Sequence, residues 1–211
     1  MPHGGVLRHV KITALALLLF FMPAAAWSDS KVVMTFGDSL TAGYGLPAPD
    51  AFVARLQAAL RQAGRDVVVR NGSVSGDTTS GGRARLAWTL SGQVDLVILE
   101  LGANDSLRGV DPAVTRRNLD AMLVELARRK IPVLLAGMLA PPNLGPDYGQ
   151  AFNSIYPDLA RHHGVALYPF FLDGVAARPK LNQHDGLHPN KAGVGVIVAA
   201  MTPYVLDLLD R

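Results

Sequence analysis

Three side chains of this 211-residue sequence have the types and settings that nucleophilic catalysis requires: Ser39, His188 and Asp185. Ser39 sits in Gly37-Asp38-Ser39-Leu40, directly after the apolar run Lys31–Phe36. A serine hydroxyl is a weak nucleophile until a base takes its proton, and histidine is the side chain suited to that near neutral pH. Beyond residue 26 the histidines are His162, His163, His184 and His188. His162 and His163 fall at the Arg-rich end of an expected helix, where solvated, dipole-compensating imidazoles are ordinary. His188 precedes Pro189, which biases it toward extended backbone and away from the helix that follows. Asp185 lies three residues earlier, so one turn brings its carboxylate to the imidazole, fixing the tautomer and stabilising the imidazolium. By itself an Asp-x-x-His turn is more often a surface loop. His184 is the nearest competitor, but its adjacency to Asp185 makes pairing awkward.

Acyl transfer also needs donors for the oxyanion of the tetrahedral intermediate. Gly76 can bring its backbone N–H close because it lacks a Cβ. Asn104 offers a side-chain amide, and the Ser39 N–H is a third donor. Taken singly, Gly76 reads equally well as a turn glycine and Asn104 as an Asx turn or cap. Leu107, Leu139, Pro141, Leu144 and Tyr148, with Met138, are candidate apolar walls for an acyl chain, against the plainer reading of loop packing. Asp38, Asn71 and Asp77 are expected to orient loops rather than react.

The elements that must hold these residues alternate strand and helix. Short apolar runs at Lys31–Phe36, Asp66–Arg70, Asp95–Leu101, Pro132–Gly137 and Val165–Tyr168 read as buried strands. Helices are expected over 51–63, over 111–130 with Asp111 as cap and Pro112 at the first position, over 151–163, and over 190–209. Continuous apolar strands separated by helices predict a three-layer α/β/α sandwich around a parallel sheet of about five strands. Ligands of such sheets bind at the carboxyl ends of the strands. Three polar clusters follow strands there, at 37–40, 71–77 and 102–105, and the fourth, Asp185-Gly186-Leu187-His188, precedes the last helix.

With 49% hydrophobic and 18% charged residues the chain is no disordered segment, and without cysteine it has no disulfide framework, thiolate metal site or cysteine nucleophile. Residues 1–26 carry Arg8 and Lys11 but no acid, then the apolar run Ile12–Met22, Pro23 and Ala24-Ala25-Ala26. They read as a signal peptide cleaved after Ala26, with an apolar core too short to span a bilayer comfortably. The rest, residues 27–211, reads as one exported domain with 18 basic and 17 acidic groups, which gives a nucleic-acid partner no support.

The blocks around Ser39, Gly76, Asn104 and His188 together resemble the SGNH (GDSL) hydrolase superfamily. Asn71–Leu86 (NGSVSGDTTSGGRARL), Leu99–Gly109 (LELGANDSLRG), Pro141-Pro142-Asn143 and Pro169–Gly174 (PFFLDG) resemble its bacterial TesA-like branch of periplasmic thioesterases, arylesterases and lysophospholipases. Ala103 in place of a common Gly, and Gly72 in place of a common Ala, remove no catalytic group. The resemblance implies a Ser39–His188–Asp185 triad, an oxyanion hole from Ser39, Gly76 and Asn104, and a mobile flap in the loop after Asn104. It implies no cofactor, no metal and no obligate protein partner, and substrates that are small acyl esters or thioesters, lipids at a membrane surface included. A carbohydrate O-acetyl esterase on the same fold and a flavodoxin-like periplasmic binding module are the alternatives. A metal hydrolase using Asp38, Asn104, Asp185 and His188 has only one histidine among hard ligands. No serine lies in the G-x-S-x-G pattern of α/β-hydrolases, since Thr41 stands where the second glycine belongs.

Overall fold

The computed structural model describes residues 1, 3, 4 and 30–211. The expected signal peptide and its cleavage point lie outside the described residues. Five parallel strands, β1 (Lys31–Gly37), β2 (Val67–Asn71), β3 (Leu96–Glu100), β4 (Val133–Ala136) and β5 (Ala166–Tyr168), form one sheet in the order β2-β1-β3-β4-β5. All of β3 and β4 is buried, as a strand covered on both faces must be. The chain runs from β1 outward to β2, then crosses back to β3 on the other side of β1. That reversal opens a crevice at the carboxyl ends of β1 and β3, the place where open α/β sheets bind ligands.

Among the described residues the α-helices are eight: α1 (Ser39–Ala42), α2 (Phe52–Gln62), α3 (Thr79–Thr89), α4 (Ala103–Leu107), α5 (Pro112–Arg128), α6 (Pro146–Asn153), α7 (Ile155–His163) and α8 (Lys191–Leu209). α2 packs with α8 and α3 with α5 and, beyond it, α7, which makes the two outer layers. The cap at Asp111 forms as the sequence predicts, its carboxylate accepting the Ala113 N–H at 2.8 Å with Pro112 at the first position. α8 is long and apolar enough to cross a membrane by composition. Here Val194, Ile197, Val198, Met201 and Val205 are buried in the core, which accounts for that hydropathy.

Three helical readings change. Neither α3 nor α4 is among the helices expected from the sequence. The helix expected over 151–163 is two, because Pro157 has no N–H to donate to Asn153 and α6 begins earlier, at Pro146.

Candidate active site

β1 ends at Gly37, where a Cβ would collide with the Thr41 hydroxyl and with the backbone and carboxyl of Glu100. Only glycine lets the strand end that close to β3. The chain then turns at Asp38, whose carboxylate caps α1 by accepting the Leu40 N–H at 3.0 Å. Ser39 is thereby the first residue of a four-residue helix, half-buried, with its hydroxyl facing the crevice.

His188 reaches that hydroxyl from 149 residues away, its Nε2 lying 2.9 Å from Ser39 Oγ. The loop that carries it is built by local bonds. Gln183 N–H donates to the His188 carbonyl at 2.8 Å, and Asn182 bridges Pro189. Asp185 Oδ1 accepts the Leu187 and His188 N–H groups at 2.9 and 3.0 Å, while Oδ2 faces His188 Nδ1 at 2.6 Å. Partial burial opposes ionisation of Asp185, but those two N–H donors and the imidazole outweigh it and hold the carboxyl down at about 2. An ionised Asp185 accepts a hydrogen bond from Nδ1–H, so Nε2 is left to accept from Ser39. His184 is exposed and lines no part of the cavity at Ser39.

The expected oxyanion donors converge on the same crevice. Asn104, near the start of α4, uses one amide N–H on Asp38 Oδ2 at 3.1 Å. Gly76 lies at the tip of the loop after β2 with φ +82°, a left-handed conformation that explains a glycine where a Cβ would meet only the Arg108 guanidinium, at 3.9 Å. Among the described residues neither the Ser39 nor the Gly76 N–H has a hydrogen-bond partner. Arg85 of α3 latches this loop down. It bonds Asp77 at 2.6 Å, the Gly37 carbonyl at 3.0 Å and the Gly72 carbonyl, while its guanidinium lies 4.0 Å over the Phe36 ring. Asn71 folds the loop's first turn by accepting the Ser73 N–H.

A cavity of about 580 Å³ opens beside Ser39 and His188. Of the expected wall residues, Leu107, Met138, Leu139 and Pro141 line it, alongside Phe170 and Leu172. Leu144 and Tyr148 do not. Tyr148 donates its hydroxyl to the Val110 carbonyl and stacks on Phe152, so it ties α6 to the loop before α5. Leu144 ends a single 3-10 turn behind Pro142. Sequence reasoning missed Tyr44, whose ring centroid lies 4.6 Å from that of His188. It also missed Glu100, fully buried under Asp38, though a charge ending an otherwise apolar strand was a signal.

For a metal, the set Asp38, Asn104, Asp185 and His188 is divided between two separate bonded pairs, Asp38–Asn104 and Asp185–His188. Asp120, His162 and His163, on α5 and α7, have ligand atoms within 4.8 Å of one another. There His163 and Asp120 already satisfy each other at 2.7 Å, and none of the three lines the cavity.

Comparison with known proteins agrees with this arrangement. The model of the GDSL-like lipase/acylhydrolase family matches residues 35–196. The chain is 45% identical over 179 residues to the arylesterase of Vibrio mimicus, covering 84% of this chain and 90% of that one. It is 40% identical over 213 residues to thioesterase 1/protease 1/lysophospholipase L1 of Escherichia coli (strain K12), covering 100% and 99% of the two chains. The solved structure of AlinE4, described as an SGNH-hydrolase family esterase, superposes with a TM-score of 0.73 at 48% identity, covering 86% of this chain and 97% of that one. The chain therefore belongs to the GDSL-like lipase/acylhydrolase family and is an ester-cleaving hydrolase.

Proposed function

We propose that Ser39 is the nucleophile of a two-step acyl transfer that cleaves esters or thioesters of medium-to-long acyl chains. His188 Nε2 takes the Ser39 proton as Oγ attacks the carbonyl carbon. The negative charge that develops on the carbonyl oxygen is met by the Ser39 and Gly76 N–H groups and by the second N–H of Asn104. The tetrahedral intermediate collapses as protonated His188 gives its proton to the leaving alcohol or thiol, leaving the acyl group on Ser39. Water, deprotonated by the same imidazole, then attacks the acyl-enzyme and releases the acid. The observation that carries this reading is the continuous relay from Ser39 Oγ to His188 Nε2 at 2.9 Å and from Nδ1 to Asp185 at 2.6 Å.

The acyl preference rests on the cavity. Its volume is that of a small-ligand site, and its walls are hydrocarbon from Leu107, Met138, Leu139, Phe170 and Leu172. Each buried methylene contributes about 0.8 kcal/mol, so every CH₂ added to the substrate favours binding until the cavity is full. Turnover of p-nitrophenyl esters is expected to rise in kcat/KM from acetyl to medium-length chains, and Ser39→Ala to lose about 10⁴-fold or more on all of them. Strict preference for acetyl, or high turnover of acetylated sugars, would favour the carbohydrate-esterase reading instead. Export with cleavage after Ala26 is part of the proposal, supported by the Arg8/Lys11 start, the 12–22 apolar run and the Ala-x-Ala end. The N-terminal sequence of the secreted or periplasmic protein checks it.

A further inference from the structure

Glu100 ends β3, is 0% exposed and has no part in the relay from Ser39 to Asp185. Its Oε2 accepts the Asp38 N–H at 3.3 Å and the Thr41 hydroxyl at 3.1 Å. Its Oε1 is buried with no partner among the described residues. The Asp38 carboxyl, also 0% exposed, neighbours the Glu100 carboxyl, and each acts on the other's ionisation. Asp38 in turn accepts two N–H groups, from Leu40 at 3.0 Å and from the Asn104 amide at 3.1 Å. The other titratable groups bearing on the pair are His188 and Tyr156, neither of them a fixed cation. Two neighbouring carboxylates sealed from water with no fixed cation beside them cannot both be ionised. Donors are supplied to both oxygens of Asp38 but to only one oxygen of Glu100, so the negative charge belongs on Asp38 and the proton on Glu100.

We propose that Glu100 is a positioning residue that stays a neutral carboxylic acid, giving a hydrogen bond from Oε1 to the Asp38 carboxylate, so that Asp38 holds the Asn104 amide with its second N–H turned to the oxyanion. The proton resolves the orphaned Oε1. Burial, with the Asp38 charge adding to it, keeps Glu100 well above the usual carboxyl range, and burial pushes Asp38 up to about 6 against the Leu40 and Asn104 donors. The inference rests on the oxyanion role assigned to Asn104.

Three variants and a double variant test it. Glu100→Gln keeps shape and places an N–H donor where the proton was, so kcat stays within about threefold of the parent. Glu100→Leu removes the donor and lowers kcat about 10–100-fold with KM little changed, as for a weakened oxyanion donor. In an Asn104→Ala background the same Glu100→Leu change costs almost nothing more, because the group it acts through is gone. Equal loss in Glu100→Gln and Glu100→Leu, or full additivity with Asn104→Ala, overturns the proposal while leaving the oxyanion role of Asn104 standing. Asn104→Ala with unchanged kcat overturns both. Should Glu100→Leu fail to fold, the parent and Glu100→Gln suffice. The infrared carbonyl stretch of an un-ionised carboxylic acid is present in the parent and lost in Glu100→Gln at neutral pH. Its absence from the parent overturns the proposal. Stability gives the same reading. With its pKa raised above 4.5 in the fold, Glu100 keeps a proton the unfolded chain has released, so the parent loses stability as pH rises above about 4.5. Glu100→Gln lacks that loss, and its melting temperature relative to the parent climbs between about pH 5 and pH 8. A difference that is flat or falls with pH counts against a proton on Glu100.

Discussion

Asp185 shows what a single side chain contributes at the residue scale. Its two oxygens are fully used, Oδ1 by two backbone N–H groups and Oδ2 by the imidazole, so it orients His188 while being itself fixed by its own loop. Asp185→Asn keeps the shape but can turn an NH₂ group toward Nδ1, favouring the wrong tautomer. We expect kcat to fall about 10⁴-fold with KM nearly unchanged, measured by steady-state hydrolysis of one good ester. A fall of only a few-fold would mean that His188 needs no orienting partner. Ser39, Asp185 and His188 could be read in the sequence because each is marked locally, by a turn after a strand, by a three-residue spacing and by a following proline. Glu100 could not be assigned this way. Its character depends on Asp38, 62 residues earlier in the chain, and on the dry space that Gly37 leaves between them.

Elements explain why the loop after β2 stays in place although its tip is exposed. Arg85 reaches from α3 to Asp77, Gly72 and Gly37 at once, so one guanidinium pins the loop after β2 to the end of β1. Asp105, fully buried on α4, accepts from Thr79 and Thr115, joining α4, α3 and α5. Arg85→Met preserves length but not these bonds, and should lower kcat about 10²–10³-fold, comparable to the loss of an oxyanion donor, with little change in KM. A raised KM at constant kcat would assign the loop to substrate binding instead. α3 itself was not visible in the sequence. Gly81 and Gly82 are poor helix formers, and Gly82 is there because Leu101 and Phe36 leave no room for a Cβ. Tertiary packing, not local preference, makes that helix. The helix beginning at Pro112 was legible because Asp111 and Pro112 act locally, whereas the break between α6 and α7 depends on Pro157 inside an otherwise helical run.

At the scale of the whole molecule, the strand order decides where the chemistry sits. Because β1 is flanked by β2 and β3, the residues following all three strands face one crevice, and the final loop brings His188 to the same rim. The alternation of apolar strands and helices foretold this architecture, and the polar clusters foretold its functional edge. The cavity walls were legible only in part, since Phe170 and Leu172 come from a segment after β5 whose path no local pattern gives. The most direct test of the account is to treat the intact protein with a fluorophosphonate ester and locate the adduct by peptide mass spectrometry. One equivalent of phosphonyl group on Ser39, with esterase activity lost in proportion, is the result the account requires. An adduct on another residue, or an unlabelled Ser39 in protein that the reagent has inactivated, would contradict it.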